Sequence, residues 1–491
     1  MMLGIDLGST NSGAAVWDGR LRMIELNHSG SVTMPSVICI ADDTAYVGQD
    51  AIEKGRQYPD YDFRNFKRRM GEAWHDEEDT GHQTCRGAGD MLHYQGPDGF
   101  TYSPVELSSF VLKAIVKAAN EYLAPHDSVT GAVICVPATF LPHQVAAVEE
   151  AAKIAGLADV TTLEEPIAAA LAYGYDAKRA KCIAVFDLGG GTLDLSCVRT
   201  GGGHIKVIAK NGIADLGGAD FDKRIADFVV NLWRTEHGTD LTVRDAAMQR
   251  ILVEAEAAKK RLSDKDKTEF RVEDIDRDKD GVTQHMIYPL DRATFEELTR
   301  DLNDRIVGAC KALLADARSK DPNFSLKDIH DVLLVGGMTR VPSIRKLVSE
   351  FFGKAPKKEE NPEQVVAMGA AIKAAILEGR KPDVTLADLT SHAIAIETVG
   401  NVPAILIPRG SSYPFEEKFT LSNPDADQTE LSIRLLYPER TRATECTRIW
   451  ATEIPVEPGE ARSARIPLAI KMDAGGRLFV TAGDQSYEDA A

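Results

Sequence analysis

The chain has 491 residues, 44% hydrophobic and 27% charged, which is typical of a folded soluble protein of about three domains. Its net charge of -18 argues against binding to the phosphate backbone of nucleic acids. The seven cysteines contain no CxxC pair and indicate neither a disulfide framework nor a zinc site. Because the first apolar run meets Asp6 at once and no apolar run reaches about 18 residues, we expect a cytoplasmic protein without signal peptide or membrane contact.

Strands and helices alternate over most of the chain. Short apolar runs that stop at turn residues predict strands, for example LGIDLG (3–8), GAVICVP (131–137), CIAVFDLG (182–189) and DVLLVGG (331–337). Longer runs with helical periodicity lie between them, at 103–123, 141–156, 245–263 and 291–317. This alternation predicts an α/β architecture.

The hydrophobic pattern of the sequence changes at about residue 391. From there, runs with a period of two are separated by Pro, Gly and Asp, which predicts an all-β module over 391–491. The proline-marked stretch 379–390 is predicted to be a linker, which leaves 1–378 as the α/β part.

The phrase Asp-Leu-Gly occurs twice, each time behind a short apolar run, in LGIDLGSTNSGAAV (3–16) and AVFDLGGGTLDL (184–195). A strand that enters a glycine-rich turn exposes backbone N–H groups, and glycine lets a phosphate approach them. A carboxylate beside phosphate is favourable only if both face a cation, so Asp6 and Asp187 predict a Mg²⁺ site, mostly through water. Two such turns predict two similar lobes with a nucleotide between them.

A third glycine pair, Gly336 and Gly337, follows the strand 331–335, and Arg340 lies one turn further on. This segment resembles the adenosine motif of the superfamily that contains actin, sugar kinases and heat-shock chaperones. In that motif the glycines admit the adenosine, and the flat guanidinium of the arginine can stack on adenine.

Further segments select the chaperone branch of the superfamily. They are FKRRMG (66–71), EEPIAAALAYG (164–174), LGGADFDKR (216–224), EAEAAKKRLS (254–263) and NPEQVVAMGAAIKAAIL (361–377). In this order they resemble the heat-shock protein 70 (DnaK-type) chaperones. The resemblance implies a two-lobed, actin-like ATPase domain with duplicated ribonuclease-H-like lobes, which binds ATP or ADP with Mg²⁺, and K⁺ as a further candidate ion.

The resemblance also implies roles for single residues. Those implied in catalysis are Lys67, Glu165, Asp187, Thr192 and Asp194. Those implied in nucleotide binding are Gly8, Ser9, Thr10, Asn11, Gly189, Gly190, Gly191, Gly217, Gly218, Glu256, Lys259, Lys260, Ser263, Gly336, Gly337, Arg340 and Glu363. The helical residues 256, 259, 260 and 263 share one face, although a solvated charged helix would show the same spacing.

The β module is similar to the peptide-binding sandwich of the same family. The resemblance implies a peptide pocket at Ile396, Val399, Leu421, Leu431 and Ile433, although the inward face of any strand would look alike. The linker keeps the acidic residues Asp383 and Asp388. Because the chain reaches Ala491 soon after the last predicted strand, we expect a sandwich without the helical lid of the family.

Some positions depart from the family pattern. Val145 stands where an arginine relays ATP binding, and Thr161 and Glu164 stand where Arg and Asn receive J-domain co-chaperones. We therefore expect altered coupling to a J-domain protein. The AMQR helix (247–250) is similar to bacterial members and makes a GrpE-like exchange factor a candidate partner.

The predicted function is an ATP-dependent chaperone that binds extended apolar polypeptide segments. An alternative is a nucleotide-gated adaptor that holds one dedicated protein partner with little peptide-stimulated turnover. A sugar kinase or an actin-like filament is a third alternative, and neither of these carries a β-sandwich.

Overall fold

A computed structural model of the chain describes residues 1–27, 30–74, 84–174, 181–201, 204–357, 363–380, 385–390, 392–438, 440–473 and 477–488. Within these ranges no helix is long and apolar enough to cross a membrane. The predicted linker residue Asp383 lies outside the described residues.

The first lobe comprises the described residues up to 174. Its strands are β1 (Met2–Asp6), β2 (Asn11–Trp17), β3 (Leu21–Met23), β4 (Thr33–Pro35), β5 (Ile38–Ala41), β6 (Thr44–Val47), β7 (Asp62–Phe63), β8 (Thr84–Arg86), β9 (Leu92–Gln95), β10 (Thr101–Tyr102), β11 (Gly131–Val136) and β12 (Asp159–Glu164). Its helices are α1 (Gln49–Gly55), α2 (Pro104–Leu123), α3 (Pro142–Ile154) and α4 (Glu165–Gly174).

The main sheet of this lobe has the order β12-β11-β1-β2-β3, with β4 paired to β2. Strand β1 runs parallel to β11 and antiparallel to β2. Helix α2 starts with a capping box, in which Ser103 Oγ accepts from Glu106 N at 3.1 Å and Glu106 Oε2 accepts from Ser103 N at 2.8 Å. The apolar faces of α2 and α3 then cover the sheet and form one core.

The second lobe comprises the described residues from 181 to 380. Its strands are β13 (Lys181–Leu188), β14 (Leu193–Gly201), β15 (His204–Ile213), β16 (Lys267–Arg277), β17 (Thr283–Asp291) and β18 (Asp331–Val335). Its helices are α5 (Gly218–His237), α6 (Asp245–Asp264), α7 (Arg292–Leu298), α8 (Arg300–Lys320), α9 (Pro342–Phe352) and α10 (Val365–Leu377).

The sheet of the second lobe repeats the pattern of the first. Strand β13 runs parallel to β18 and antiparallel to β14, and β14 runs antiparallel to β15. The β16–β17 hairpin and helices α5 to α9 pack around this sheet in a second core. The α/β architecture predicted for this part of the chain is confirmed.

The described residues from 385 onward are all-β. The strands are β19 (Thr385–Leu389), β20 (Ile394–Thr398), β21 (Val402–Ile407), β22 (Ser412–Tyr413), β23 (Phe415–Leu421), β24 (Glu430–Tyr437), β25 (Thr447–Pro455), β26 (Ile466–Met472), β27 (Leu478–Ala482) and β28 (Gln485–Glu488). Two antiparallel sheets, β21-β20-β24-β25 and β23-β26-β27-β28, enclose a common apolar core.

Strand β19 lies inside the predicted linker and joins the two parts of the chain. It pairs in parallel with β15, where Ile205 lies opposite Leu386, and antiparallel with β22, where Asp388 lies opposite Tyr413. The strand covers the backbone groups of β15, which would otherwise form an exposed sheet edge. A second contact joins the parts where His392 Nε2 lies 3.3 Å from the carbonyl oxygen of Phe140.

The two lobes meet where α10 crosses α4 and β1. A Cβ atom at Gly369 would lie 2.7 Å from Ala168 Cα and overlap the Ala168 carbonyl. At Gly4, a Cβ atom would lie 2.5 Å from the carbonyl carbon of Ala370. Glycine at these positions lets the backbones of the two lobes come into direct contact.

We expect Gly369→Ala to lower the free energy of unfolding by about 2–4 kcal/mol, because the added methyl group forces α10 away from α4. Urea unfolding followed by circular dichroism would measure the change. Gly308→Ala is a matched control, since a Cβ atom there meets nothing within 4 Å. In the exposed interior of α8 the same change should stabilise by about 0.5–1 kcal/mol. An equal response of the two variants would contradict the close helix crossing.

Candidate functional site

A cavity of about 660 Å³ lies between the two lobes. It collects most of the residues that the sequence predicts for nucleotide binding and catalysis. Those that line it are Asp6, Gly8, Ser9, Thr10, Asn11, Lys67, Glu165, Asp187, Gly189, Gly190, Gly191, Thr192, Gly218, Glu256, Lys259, Lys260, Ser263, Gly336, Gly337, Arg340 and Glu363. Two predicted residues, Asp194 and Gly217, are not part of the lining.

The two glycine-rich turns face each other across one end of the cavity. A Cβ atom at Gly190 would overlap the hydroxyl oxygen of Thr10, and one at Gly191 would lie 3.0 Å from Ser9 Oγ. The turns of the two lobes are therefore in contact, and the absence of side chains on the second turn makes this approach possible.

Buried serines hold the first turn in place. Ser36 Oγ donates to the carbonyl oxygen of Gly8 at 2.6 Å, and Ser36 N donates to that of Thr10 at 2.8 Å. Ser12 Oγ lies 2.8 Å from Ser36 Oγ. The sequence did not predict this role for Ser36, because a lone serine before a strand carries no local signal of it.

The second turn is fixed by the start of α5. Gly218 N donates to the carbonyl oxygen of Gly189 at 2.9 Å, and Ala219 N donates to that of Gly190 at 2.9 Å. A Cβ atom at Gly217 would overlap the backbone of Gly191. Gly217 therefore lies behind the turn and supports it, rather than facing the cavity.

An ion pair lies at the base of the cavity. Lys67 Nζ donates to Glu165 Oε1 at 2.7 Å, with the two side chains only 3% and 12% exposed. The ring of Phe140 lies 5.6 Å from the same ammonium group. Burial lowers the pKa of Lys67, but the carboxylates of Glu165 and Asp6 outweigh it and raise the pKa above its ordinary value. Lys67 is therefore charged at neutral pH.

Three further carboxyl groups lie beside this pair: those of Asp187 and Asp194 are buried, and that of Asp6 is partly exposed. Burial, followed by the charge of Glu165, raises the pKa of Asp6 to about 7 and that of Asp194 to about 8, and it raises the pKa of Asp187 well above its usual range. Asp194 Oδ1 accepts a hydrogen bond from Thr139 N at 3.1 Å. Additional positive charge nearby would stabilise the ionised form of these carboxyl groups.

The carboxylates of Asp6 and Asp187, which line the cavity, suit a hard divalent cation, because such ions prefer oxygen ligands. In the described parts of the chain, no three His, Cys, Asp or Glu side chains are close enough to hold a metal directly. The arrangement therefore suits an ion that keeps most of its water molecules, beside Asp6 and Asp187.

Helix α6 supplies another wall of the cavity. Lys260 Nζ pairs with Glu256 Oε1 at 2.7 Å, and Ser263 Oγ donates to the carbonyl oxygen of Lys259 at 3.2 Å. Burial raises the pKa of Glu256, but the nearby lysine charges, chiefly that of Lys260, outweigh it and lower the pKa. The four residues predicted to share one face of α6 therefore all line the cavity, and Glu256 and Lys260 also pair with each other.

Lys259 differs from the other predicted residues of α6. Its ammonium group is buried, donates to the carbonyl oxygen of Gly218 at 3.0 Å and pairs with Asp222 Oδ1 at 2.8 Å. Burial raises the pKa of Asp222 to about 6, although Lys259 lowers it. The pair ties α6 to the start of α5. Asp222 was not predicted, since its partner lies 37 residues away in the sequence.

The third glycine pair closes the cavity at the end of β18. Gly336 has φ +82°, and a Cβ atom there would lie 2.7 Å from Asp187 Oδ1. Arg340 is half exposed and its Nε lies 3.4 Å from Glu363 Oε1. Arg340 therefore lines the cavity at a point where it is open to solvent.

Two contacts cross the cleft between the lobes above the cavity, and neither was predicted. Arg68 Nη2 lies 3.3 Å from Asp220 Oδ1, and Gln249 Nε2 donates to the carbonyl oxygen of Asp62 at 2.6 Å. In the described structure the lobes are thus in contact both where α10 crosses α4 and across the cleft.

The predicted pocket residues of the sandwich fall into two groups. Ile433 and Leu431 are buried in the core between the sheets, and Ile396 and Leu421 are half-buried against it. Val399, by contrast, is 78% exposed just beyond β20. The structure does not bring the five side chains to one surface.

The raised pKa of Asp194 predicts that the stability of the protein depends on pH. Between pH 4 and 8 the folded protein retains the Asp194 proton that the unfolded chain releases, so the stability of the native protein falls as pH rises through this window. Asp194→Asn keeps the acceptor for Thr139 and removes the titration. At pH 8 the free energy of unfolding of the variant should exceed that of the native protein by at least about 1 kcal/mol. Near pH 4 the two proteins should be equally stable. Thermal unfolding in EDTA without nucleotide measures this, and a pH-independent difference would contradict it.

The family model for "Hsp70 protein" matches residues 2–490, almost the whole chain. Proteins of that family are ATPases that bind nucleotide with Mg²⁺ and act on unfolded polypeptides. The resemblance in the sequence is thereby confirmed. With its two facing glycine turns, the cavity between the lobes and the all-β module that follows, the chain belongs to the Hsp70 family.

Proposed function

We propose that this chain is an ATP-dependent molecular chaperone, which hydrolyses ATP between its two lobes and binds extended apolar peptide segments in its sandwich. The observation that carries the proposal is the cavity. Two glycine turns meet there beside a buried lysine and a group of carboxyl groups whose pKa is raised by burial. Such a site suits a polyphosphate and a cation together, since each compensates the charge of the other.

The γ-phosphate would lie between the two turns. The hydroxyl groups of Ser9, Thr10 and Thr192 line the cavity there and can donate to phosphate oxygens. Mg²⁺ bound through water beside Asp6 and Asp187 would neutralise charge on the β- and γ-phosphates. The Lys67 ammonium group, held by Glu165, would stabilise the charge that develops on the transferred group.

Hydrolysis needs a water molecule in line with the bond that breaks. The carboxylates of Glu165 and Asp187 line the cavity and can accept hydrogen bonds from such a water, while Asp194 lies opposite Asp187 on the neighbouring strand. The oxygen of the water would bond to the γ-phosphorus as the bond to the β–γ bridging oxygen breaks. The site would contribute mainly by position and electrostatics.

The adenosine would occupy the wall formed by α6 and the end of β18. The guanidinium of Arg340 would stack on the adenine, while Glu256 and Lys260, which line the same wall, would contact ribose hydroxyls. Lys259 already donates to Gly218 and Asp222, so its proposed contribution is to hold this wall together.

Communication with the sandwich would run through β19. This strand pairs on one side with the second lobe and on the other with β22 of the all-β part. A change in lobe closure would act on that pairing, and peptide affinity would differ between nucleotide states. Peptide must then change nucleotide affinity by the same factor.

Altered J-domain coupling is part of the proposal. Thr161 is buried, and Glu164 is paired with Lys210 inside the protein. Side chains that are taken up inside the fold are poor contacts for a docking partner, since the partner would have to displace their existing neighbours.

We expect Lys67→Ala and Thr192→Ala to lower the single-turnover rate of ATP hydrolysis by about 100-fold or more, since each removes a group that would contact the γ-phosphate. Rapid-quench measurements with ATP at saturation would measure the rates. Lys357→Ala is the control, because that exposed lysine pairs with Asp331 outside the cavity. Wild-type rates in both cavity variants, with ATP bound, would contradict the proposed catalytic site.

Val399→Asp tests the peptide site without disturbing the core. We expect it to weaken the binding of a short apolar peptide by about tenfold, as the exposed valine would be lost from the contact surface. Fluorescence anisotropy would measure the affinity. Val282→Asp, also exposed but on the β16–β17 turn, should have no effect. If the native protein hydrolyses ATP but binds no such peptide and holds one native protein instead, the adaptor function replaces the chaperone function.

A further inference from the structure

A buried ion pair joins the sheets of the two lobes below the cavity. Lys210 Nζ lies 2.9 Å from Glu164 Oε2, with the two side chains only 8% and 14% exposed. Glu164 is the last residue of β12, the edge strand of the first sheet, and Lys210 lies on β15 of the second sheet. The pair therefore adds a direct contact between the two lobes next to the cavity.

The position of Glu164 in the chain gives this pair its importance. Glu164 ends β12 and Glu165 begins α4, so the two carboxylates stand on adjacent residues. Each is bound to a different lysine: Glu165 to Lys67 in the cavity and Glu164 to Lys210 in the second lobe. Because adjacent residues share one peptide unit, a displacement of the backbone at the end of β12 shifts the Cα atoms of both residues.

The lysine end of the pair is anchored as well. Lys210 N donates to Asp316 Oδ2 at 3.1 Å, which ties β15 to α8. Two residues further along β15, a Cβ atom at Gly212 would lie 2.6 Å from Thr139 Cγ2 of the first lobe. The pair is thus part of a tight contact between the lobes, and its geometry depends on their relative position.

We propose that the Glu164–Lys210 ion pair positions Glu165 for ATP hydrolysis by fixing the end of β12 to the second lobe. This inference rests on the proposed ATPase function. Glu164 and Lys210 are positioning residues in this account, since neither lines the cavity. The pair would place the Glu165 carboxylate correctly only when the lobes have the described relative position, so that hydrolysis depends on lobe closure.

The test compares Lys210→Met with the double variant Glu164→Gln/Lys210→Met. Lys210→Met removes the ammonium group that neutralises the Glu164 carboxylate, which lowers stability, and it also removes this ion pair between β12 and the second lobe. The double variant removes the uncompensated charge and should recover most of the melting temperature. It does not restore the connection between the lobes. We therefore expect the single-turnover rate to stay at least about tenfold below wild type in both variants, with the Kd for ATP within about twofold.

Lys181→Met serves as the matched control. It breaks a Lys–Asp pair of 2.8 Å in the same sheet, between Lys181 and Asp331, and should leave the rate unchanged. If the rate recovers together with stability in the double variant, the pair only compensates charge and the inference is wrong. Failure of the proposed function looks different, because the native protein itself would then show no hydrolysis.

Discussion

The concentration of buried negative charge at the base of the cavity is the constraint on which the rest of the site depends. The carboxyl groups of Asp6, Glu165, Asp187 and Asp194 lie together in a region of low dielectric, close to the ammonium group of Lys67. Ionising all of them without further cations is costly, which is why burial raises the pKa of three of them. A bound cation would lower that cost. Because the carboxyl groups come from both lobes, binding of the cation with its nucleotide and the relative position of the lobes depend on each other.

The carboxyl groups of the two lobes come together only because the lobes approach closely, and small residues make this approach possible. Gly4 and Gly369 let helix α10 lie against the backbone of the first lobe, and Gly190 and Gly191 let the second turn meet the first. The close contacts at opposite ends of the interface leave the cavity between them. The same packing makes the lobes sensitive to small rotations, because a tightly packed interface cannot deform gradually.

Features with a local signal were predictable from the sequence. The repeated Asp-Leu-Gly phrase located Asp6 and Asp187 because a strand followed by a glycine turn is a local pattern, and the alternation of strands and helices gave the α/β class. Contacts between distant segments were not predictable, since no local pattern marks them. Asp222 with Lys259 and Glu164 with Lys210 are examples. The predicted pocket was also not recovered, because Val399 lies exposed in the turn after β20 while Ile433 lies buried on β24.

Other elements carried a signal that is weak by itself. The β16–β17 hairpin is absent from the predicted elements, although its buried residues alternate along both strands. The pairing of strand β19 with β15 is made by backbone groups, which every non-proline residue supplies. Composition could therefore suggest a linker but could not show that it completes a sheet.

The pairing of β19 has a consequence for behaviour in solution. The strand completes a continuous sheet that runs from β18, at the nucleotide cavity, to β22 in the all-β part. If β19 separates from β15, both strands lose hydrogen-bond partners at once and become open edges. Open edges of this kind accept strands from other copies of the same chain. Release of the linker would thus create the conditions for strand exchange between molecules, so the step that frees the sandwich to move would also make the protein's association state sensitive to its concentration.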